Sequence, residues 1–141
     1  MLRILIDTNI FISREDNRVL SEDLRNLLGA LSEVGARIMV HPRSIEELKR
    51  DHDVRRREVV LSKIGAYSQL ESPPRPRDDE EFLKKVGHPF NPNDEVDNAL
   101  LYSVHKNAVY CLISEDKKLQ KKAVDLGLKD RFCQSQTRIV P

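Results

Sequence analysis

With 141 residues, 39% of them apolar, the chain makes one domain with a core of its own and leaves no room for a second full one. No window approaches the roughly 18 uninterrupted apolar residues of a membrane span, and the start, MLRILIDTN, carries too short an apolar run for a secretory signal, so a cytoplasmic protein is expected. Its 24 lysines and arginines against 23 acids leave a net charge of +1, which excludes indiscriminate coating of a polyanion but not a local basic patch, and Cys111 and Cys133 lack the spacing of a zinc site or a disulfide framework.

Leu2 to Ile6 is a short apolar run closed by Asp7, Thr8 and Asn9, which predicts a buried strand and a polar turn. Beyond a loop around Arg14 to Arg18, Leu20, Leu24, Leu27, Leu28, Leu31 and Val34 recur at helical spacing. Ser21 is placed to cap that helix, Glu22 and Asp23 fall in its first turn, and Gly35 ends it. Arg37 to Val40 predicts a second strand, punctuated by Pro42. From Arg43, Ile45 and Leu48 and then Val60, Ile64 and Tyr67 lie on a broken stripe that predicts two consecutive helices or one bent one.

The three prolines of Gln69 to Arg77 call for loop or extended chain. Asp78 to Val86 predicts a short acidic-to-basic helix, followed by the loop GHPFNPN. Asn93 or Asp94 then caps a helix with Val96, Leu100, Leu101 and Val104 toward the core. Val109 to Ile113 reads as a central strand, and Ser114 and Asp116 open a helix through Leu119, Ala123 and Leu126 to Gly127. The tail from Arg131 can add an edge strand, and its abrupt end leaves open a domain excised from a longer protein. Strand and helix alternate over residues 1–141, which predicts a single α/β domain of three layers: a central parallel sheet with helices on both faces.

In open parallel sheets, ligands bind at the carboxyl ends of the strands. Asp7 stands at such an end, and Asp116 follows the strand at Ile113 by three residues. Asp97 precedes Leu100 and Leu101 by three and four residues and so shares their inward face, while Glu47 begins the helix leaving the second strand. Taken singly, each acid also reads as a cap, turn or surface residue; their joint position at one sheet edge favours a site. Four carboxylates grouped without countercharge raise one another's pKa, which is costly unless a divalent cation holds them. An oxygen-only set suits Mg²⁺ or Mn²⁺ rather than zinc.

The segments ILIDTNIF, SIEEL, DEVDNALLYSV and LISEDKKL, in this order over residues 1 to about 126, strongly resemble the PIN domain family of metal-dependent nucleases. The resemblance implies a Rossmann-like fold, a catalytic and metal-binding set of Asp7, Glu47, Asp97 and Asp116, and hydrolysis of RNA by a water that Mg²⁺ or Mn²⁺ activates. Ser114 stands where the family often has threonine and keeps the hydroxyl; Asp94 and Glu95 crowd the third motif, and Asn9, Asp94 and Ser114 are expected to support the site.

The carboxylates repel a polyanion, so cations must attract the substrate. Candidates are Arg43, Lys49, Arg50 and Arg55 to Arg57, partly neutralised by Glu47, Asp51, Asp53 and Glu58, and Lys117, Lys118, Lys121 and Lys122. Arg43, Lys117 and Lys118, nearest the acids, are expected to touch a phosphate, and no histidine is assigned to catalysis. Compact members of the family include the toxins of toxin-antitoxin pairs, which implies RNA as substrate, a cognate antitoxin as partner and self-association, without a membrane. The same domain also occurs inside larger RNA-processing proteins. A phosphatase of the haloacid-dehalogenase type wants an acid where Asn9 stands, and a receiver domain wants paired acids after the first strand, so both are disfavoured. A PIN-like scaffold that binds RNA or protein without cleavage is the remaining alternative.

Overall fold

The computed structural model describes residues 2–15 and 22–134. The elements run β1 (Arg3–Ile6), α1 (Thr8–Glu15), α2 (Glu22–Glu33), β2 (Arg37–Val40), α3 (Pro42–Lys49), α4 (Val54–Lys63), β3 (Ser68–Gln69), α5 (Glu80–Val86), α6 (Pro92–His105), β4 (Cys111–Ile113), α7 (Lys117–Asp125) and β5 (Phe132–Cys133). The five strands form one sheet in the order β3-β2-β1-β4-β5, and every neighbouring pair is parallel.

Successive side chains of a strand point to opposite faces, and the two cores follow from that alternation. Ile4 and Ile6 of β1, Val40 of β2, and Cys111 and Ile113 of β4 pack with Phe11, Leu24, Leu28, Leu48 and Val60 from α1 to α4. Leu5, Met39 and Leu112, the residues between, face the opposite core with Phe82, Leu100, Leu101 and Leu119 from α5 to α7. The expected three-layer α/β/α arrangement is therefore present. Among the described residues no helix is long and apolar enough to cross a membrane.

The chain steps from β1 through β2 to β3 with α1 to α4 on one face, then returns to the far side of β1 with α5 and α6 on the other. Right-handed crossovers require that change of face when the direction along the sheet reverses. The reversal falls between β1 and β4, whose carboxyl ends are adjacent, Ile6 opposite Ile113. A crevice opens above such a switch point.

Several boundaries differ from expectation. Asp7 to Asn9 is not a turn: the Asp7 carboxylate accepts the Ile10 N–H at 2.8 Å and starts α1 at once. β4 is shorter than Val109 to Ile113 because Arg131 takes the carbonyls of Val109 and Tyr110, at 2.9 and 2.6 Å, leaving the ladder to β5 to begin at Leu112. The cap of α6 is Asn91, earlier than Asn93 or Asp94, and Asp94 donates its backbone N–H to the Asn91 side chain at 2.9 Å. Likewise α5 begins at Glu80 behind the cap Asp79. β3, of two residues, lies between the helical stripe that ends at Tyr67 and the prolines that call for loop, a place where neither pattern predicts a strand.

Two consecutive helices do follow β2, and α3 and α4 are separated by the cap Asp53. Val34 lies past the end of α2 and is exposed rather than part of its buried stripe. Leu20, the Ser21 cap, the far part of the Arg14 to Arg18 loop and the tail beyond Gln134 lie outside the described residues.

Candidate functional site

Asp7 leaves β1 into the switch-point crevice and is only 6% exposed. Its Oδ2 accepts the hydroxyl of Ser114, the fully buried residue that follows β4, and that same hydroxyl accepts the backbone N–H of Asp116 at 3.0 Å. Burial raises Asp7 from 3.8 to about 6, against the lowering effect of the Ser114 and Ile10 hydrogen bonds, and the charges of Asp116 and Glu47 add to the rise.

Asp116 is the cap of α7: its Oδ1 accepts the N–H groups of Lys118 and Leu119 at 2.8 and 3.2 Å. Glu47 rides on α3, which starts after β2 with Pro42 in its first turn and His41 as cap, Nδ1 accepting the Arg43 N–H at 3.0 Å. Buried Leu48 anchors the helix and leaves Glu47 half-buried beside it. Burial keeps His41 itself down at about 4, which makes it a neutral structural cap.

Asp97 comes from α6, which lies against both α3 and α7. It rises to about 7, first through burial and then through Asp116 and Glu47, with Lys122 and Lys118 opposing. Glu47, Asp97 and Asp116 share the wall of a cavity of about 420 Å³ with Thr8, Asn9 and Asn93, and Asp7 lies buried next to Thr8. Four elements thus bring the four expected acids close enough to disturb one another.

The expected supporting and substrate-binding residues separate. Asn9 is exposed on the cavity wall. Asp94 is a tie instead: its Oδ1 pairs with Lys118 Nζ at 2.9 Å and its Oδ2 accepts the Phe90 N–H at 3.0 Å, joining α6 to α7 and to the preceding loop. The Lys118 ammonium holds Asp94 below its ordinary range. Arg43 pairs with Glu46 at 3.4 Å, and the described cavity wall takes in neither Arg43 nor Lys117 nor Lys118.

The cation on the wall is Arg56, locked to Asp51 through Nε–Oδ2 at 2.6 Å and Nη2–Oδ1 at 2.8 Å. That fork pulls Asp51 down to about 2. Both residues belong to the charged stretch expected to be partly self-neutralised, but a spacing of five across a helix break has no regular signature that would pair them. Thr8 was also missed: it is 6% exposed, and its hydroxyl has no hydrogen-bond partner among the described residues.

Among the described residues no group of three or more His, Cys, Asp or Glu side chains is arranged to hold a metal ion as it stands. The chemistry of the donors nevertheless fits a hard divalent cation: the four acids offer oxygen alone, two have their pKa raised by burial and then by the neighbouring acids, and an orphaned hydroxyl stands beside them. Comparison with protein-family models finds no match, and no curated protein matches the chain.

Proposed function

We propose that the chain is a metal-dependent endoribonuclease of the PIN domain type, acting on RNA phosphodiester bonds at the crevice between β1 and β4. The observation that supports the reading is the electrostatic coupling of Asp7 and Asp97, each of which feels both Asp116 and Glu47 although the four acids come from separate stretches of chain. Buried, mutually repelling carboxylates at a sheet switch point cost stability, and binding sites are where such cost is retained.

Asp7, Glu47, Asp97 and Asp116 would hold Mg²⁺ or Mn²⁺, which when bound lowers the pKa of water and offsets charge on the phosphodiester. The chain's own residues prepare the rest. Ser114 fixes the rotation of the Asp7 carboxylate, and the Asp116 cap fixes its own. Asn9 and Asn93 offer wall amides whose N–H groups can donate hydrogen bonds to substrate oxygens. Asp7 and Asp97 must release their protons before serving as ligands, so cleavage rises with pH through about 6 and 7.

The test is incubation of the purified chain with a mixed RNA pool in EDTA, Mg²⁺ or Mn²⁺. Cleavage confined to the metal arms supports the reading, and equal cleavage in chelator overturns it. RNA retention without cleavage in any arm would point to a binding module. Within the nuclease reading we favour the toxin of a toxin-antitoxin pair, and growth arrest on expression, abolished by Asp97→Asn, tests that narrower statement.

A further inference from the structure

Phe90 is 95% exposed, yet it does not sit in a loose loop. Its N–H donates to Asp94 Oδ2 at 3.0 Å, and the other oxygen of that buried carboxylate holds Lys118 Nζ at 2.9 Å. Pro89 and Pro92 fix the backbone on either side. Asn91 caps α6 through the Asp94 N–H, and Asn98 Nδ2 donates to the Gly87 carbonyl at 3.1 Å at the start of the loop. The fold therefore fixes the Phe90 backbone on the same carboxylate that holds the Lys118 ammonium, and leaves the ring in water.

Its place on the chain matters. Asn93, three residues on, lines the acid cavity, and Asp97 lies roughly 8 Å along the helix axis from Pro92 at 1.5 Å per residue. Lys117, Lys118 and Lys121 are exposed on α7, the helix tied to this loop through Asp94. An exposed ring on a loop that runs into the crevice wall at Asn93, joined through Asp94 to a helix carrying exposed lysines, supplies the two parts that grip single strands, a ring to stack on a base and cations to follow the phosphates. A protein interface would want an apolar surround. Here the flanking His88, Pro89, Asn91, Pro92 and Asn93 are all exposed and mostly polar.

We propose that Phe90 is a base-stacking platform for the substrate RNA, with one unpaired base resting on its ring while the adjoining phosphates enter the acid crevice. This rests on the nuclease reading above. A duplex keeps its bases stacked on one another and offers none to the ring.

The sequence contains no tryptophan, so Phe90→Trp provides a single reporter of its kind at the position itself. Carried on Asp97→Asn so that strands survive, its fluorescence should be quenched by oligouridylate or oligoadenylate but not by a blunt RNA duplex or by inorganic pyrophosphate. With otherwise unchanged protein, Phe90→Ala should weaken single-strand binding about tenfold and raise KM far more than it lowers kcat, while Phe90→Tyr restores both. Equal quenching by duplex and strand, or unchanged strand affinity in Phe90→Ala, overturns the proposal. So does a fall in assembly mass by light scattering in Phe90→Ala with strand affinity intact, which assigns the ring to a protein interface. Quenching by strand together with no cleavage by the parent protein in Mg²⁺ or Mn²⁺ would sink the nuclease reading and leave the platform standing; intact cleavage without quenching does the reverse.

Discussion

The hydroxyl of Ser114, at the end of β4, donates to Asp7 Oδ2 at the end of β1, and so joins the two strands between which the sheet reverses its winding. The bond favours the ionised form of Asp7, and removing it acts mainly where that form prevails. Ser114→Ala should therefore destabilise the fold by about 1–2 kcal/mol at pH 8 and by less at pH 5, where Asp7 is protonated and only the Asp116 N–H loses its acceptor. Urea midpoints at the two pH values measure the difference. A loss that is the same at both would show that the hydroxyl does not act on the Asp7 charge.

Asp97 gives a pH dependence of opposite sense to an ion-paired acid. Its pKa is raised from 3.8 to about 7, so the folded state holds a proton that the unfolded chain has released, and stability falls as pH climbs through that interval. Asp97→Asn removes the penalty. In metal-free buffer it should stabilise the protein by about 1–3 kcal/mol at pH 8 and leave it unchanged near pH 4, while abolishing cleavage. Loss of folding together with activity would make Asp97 a structural residue.

Divalent cations should reverse that penalty in the parent protein. Added Mg²⁺ or Mn²⁺ is expected to raise Tm at pH 8 more than at pH 5.5, because protons on Asp7 and Asp97 compete with the cation. The gain should shrink in Asp7→Asn and in Asp97→Asn. Equal gains in the parent and both variants would place the cation elsewhere.

Lys117 and Lys118 are adjacent but differ in what holds them. Lys118→Glu breaks the tie to Asp94 and should lower both Tm and RNA affinity. Lys117→Glu should weaken RNA binding across sequences without lowering Tm, and reduce the salt slope by about 0.7 if it loses one phosphate of a single strand. The pair Lys84 and Lys85 on α5 is the control, expected to change neither. Equal loss of affinity from both regions would remove the substrate path from the start of α7.

The α/β class, the positions of β1, β2 and β4, the apolar stripes of α2 and α6, and the acids near strand ends are legible in the order of residues alone. These are local properties: alternation with period two, helical spacing, and caps such as Asp116 whose side chain binds the very next turn. What two distant stretches make together follows only from the folded arrangement. The order β3-β2-β1-β4-β5 brought Ser114 onto Asp7 across 107 positions of chain, gave Lys118 to Asp94 across 24, and put Arg56 in the cavity wall. A two-residue strand such as β3 has too few side chains to show a period, and an ion pair across a helix break has no fixed spacing to reveal it. Charge alone could nominate Lys118 for a phosphate; only the folded neighbourhood showed that a buried carboxylate already holds it.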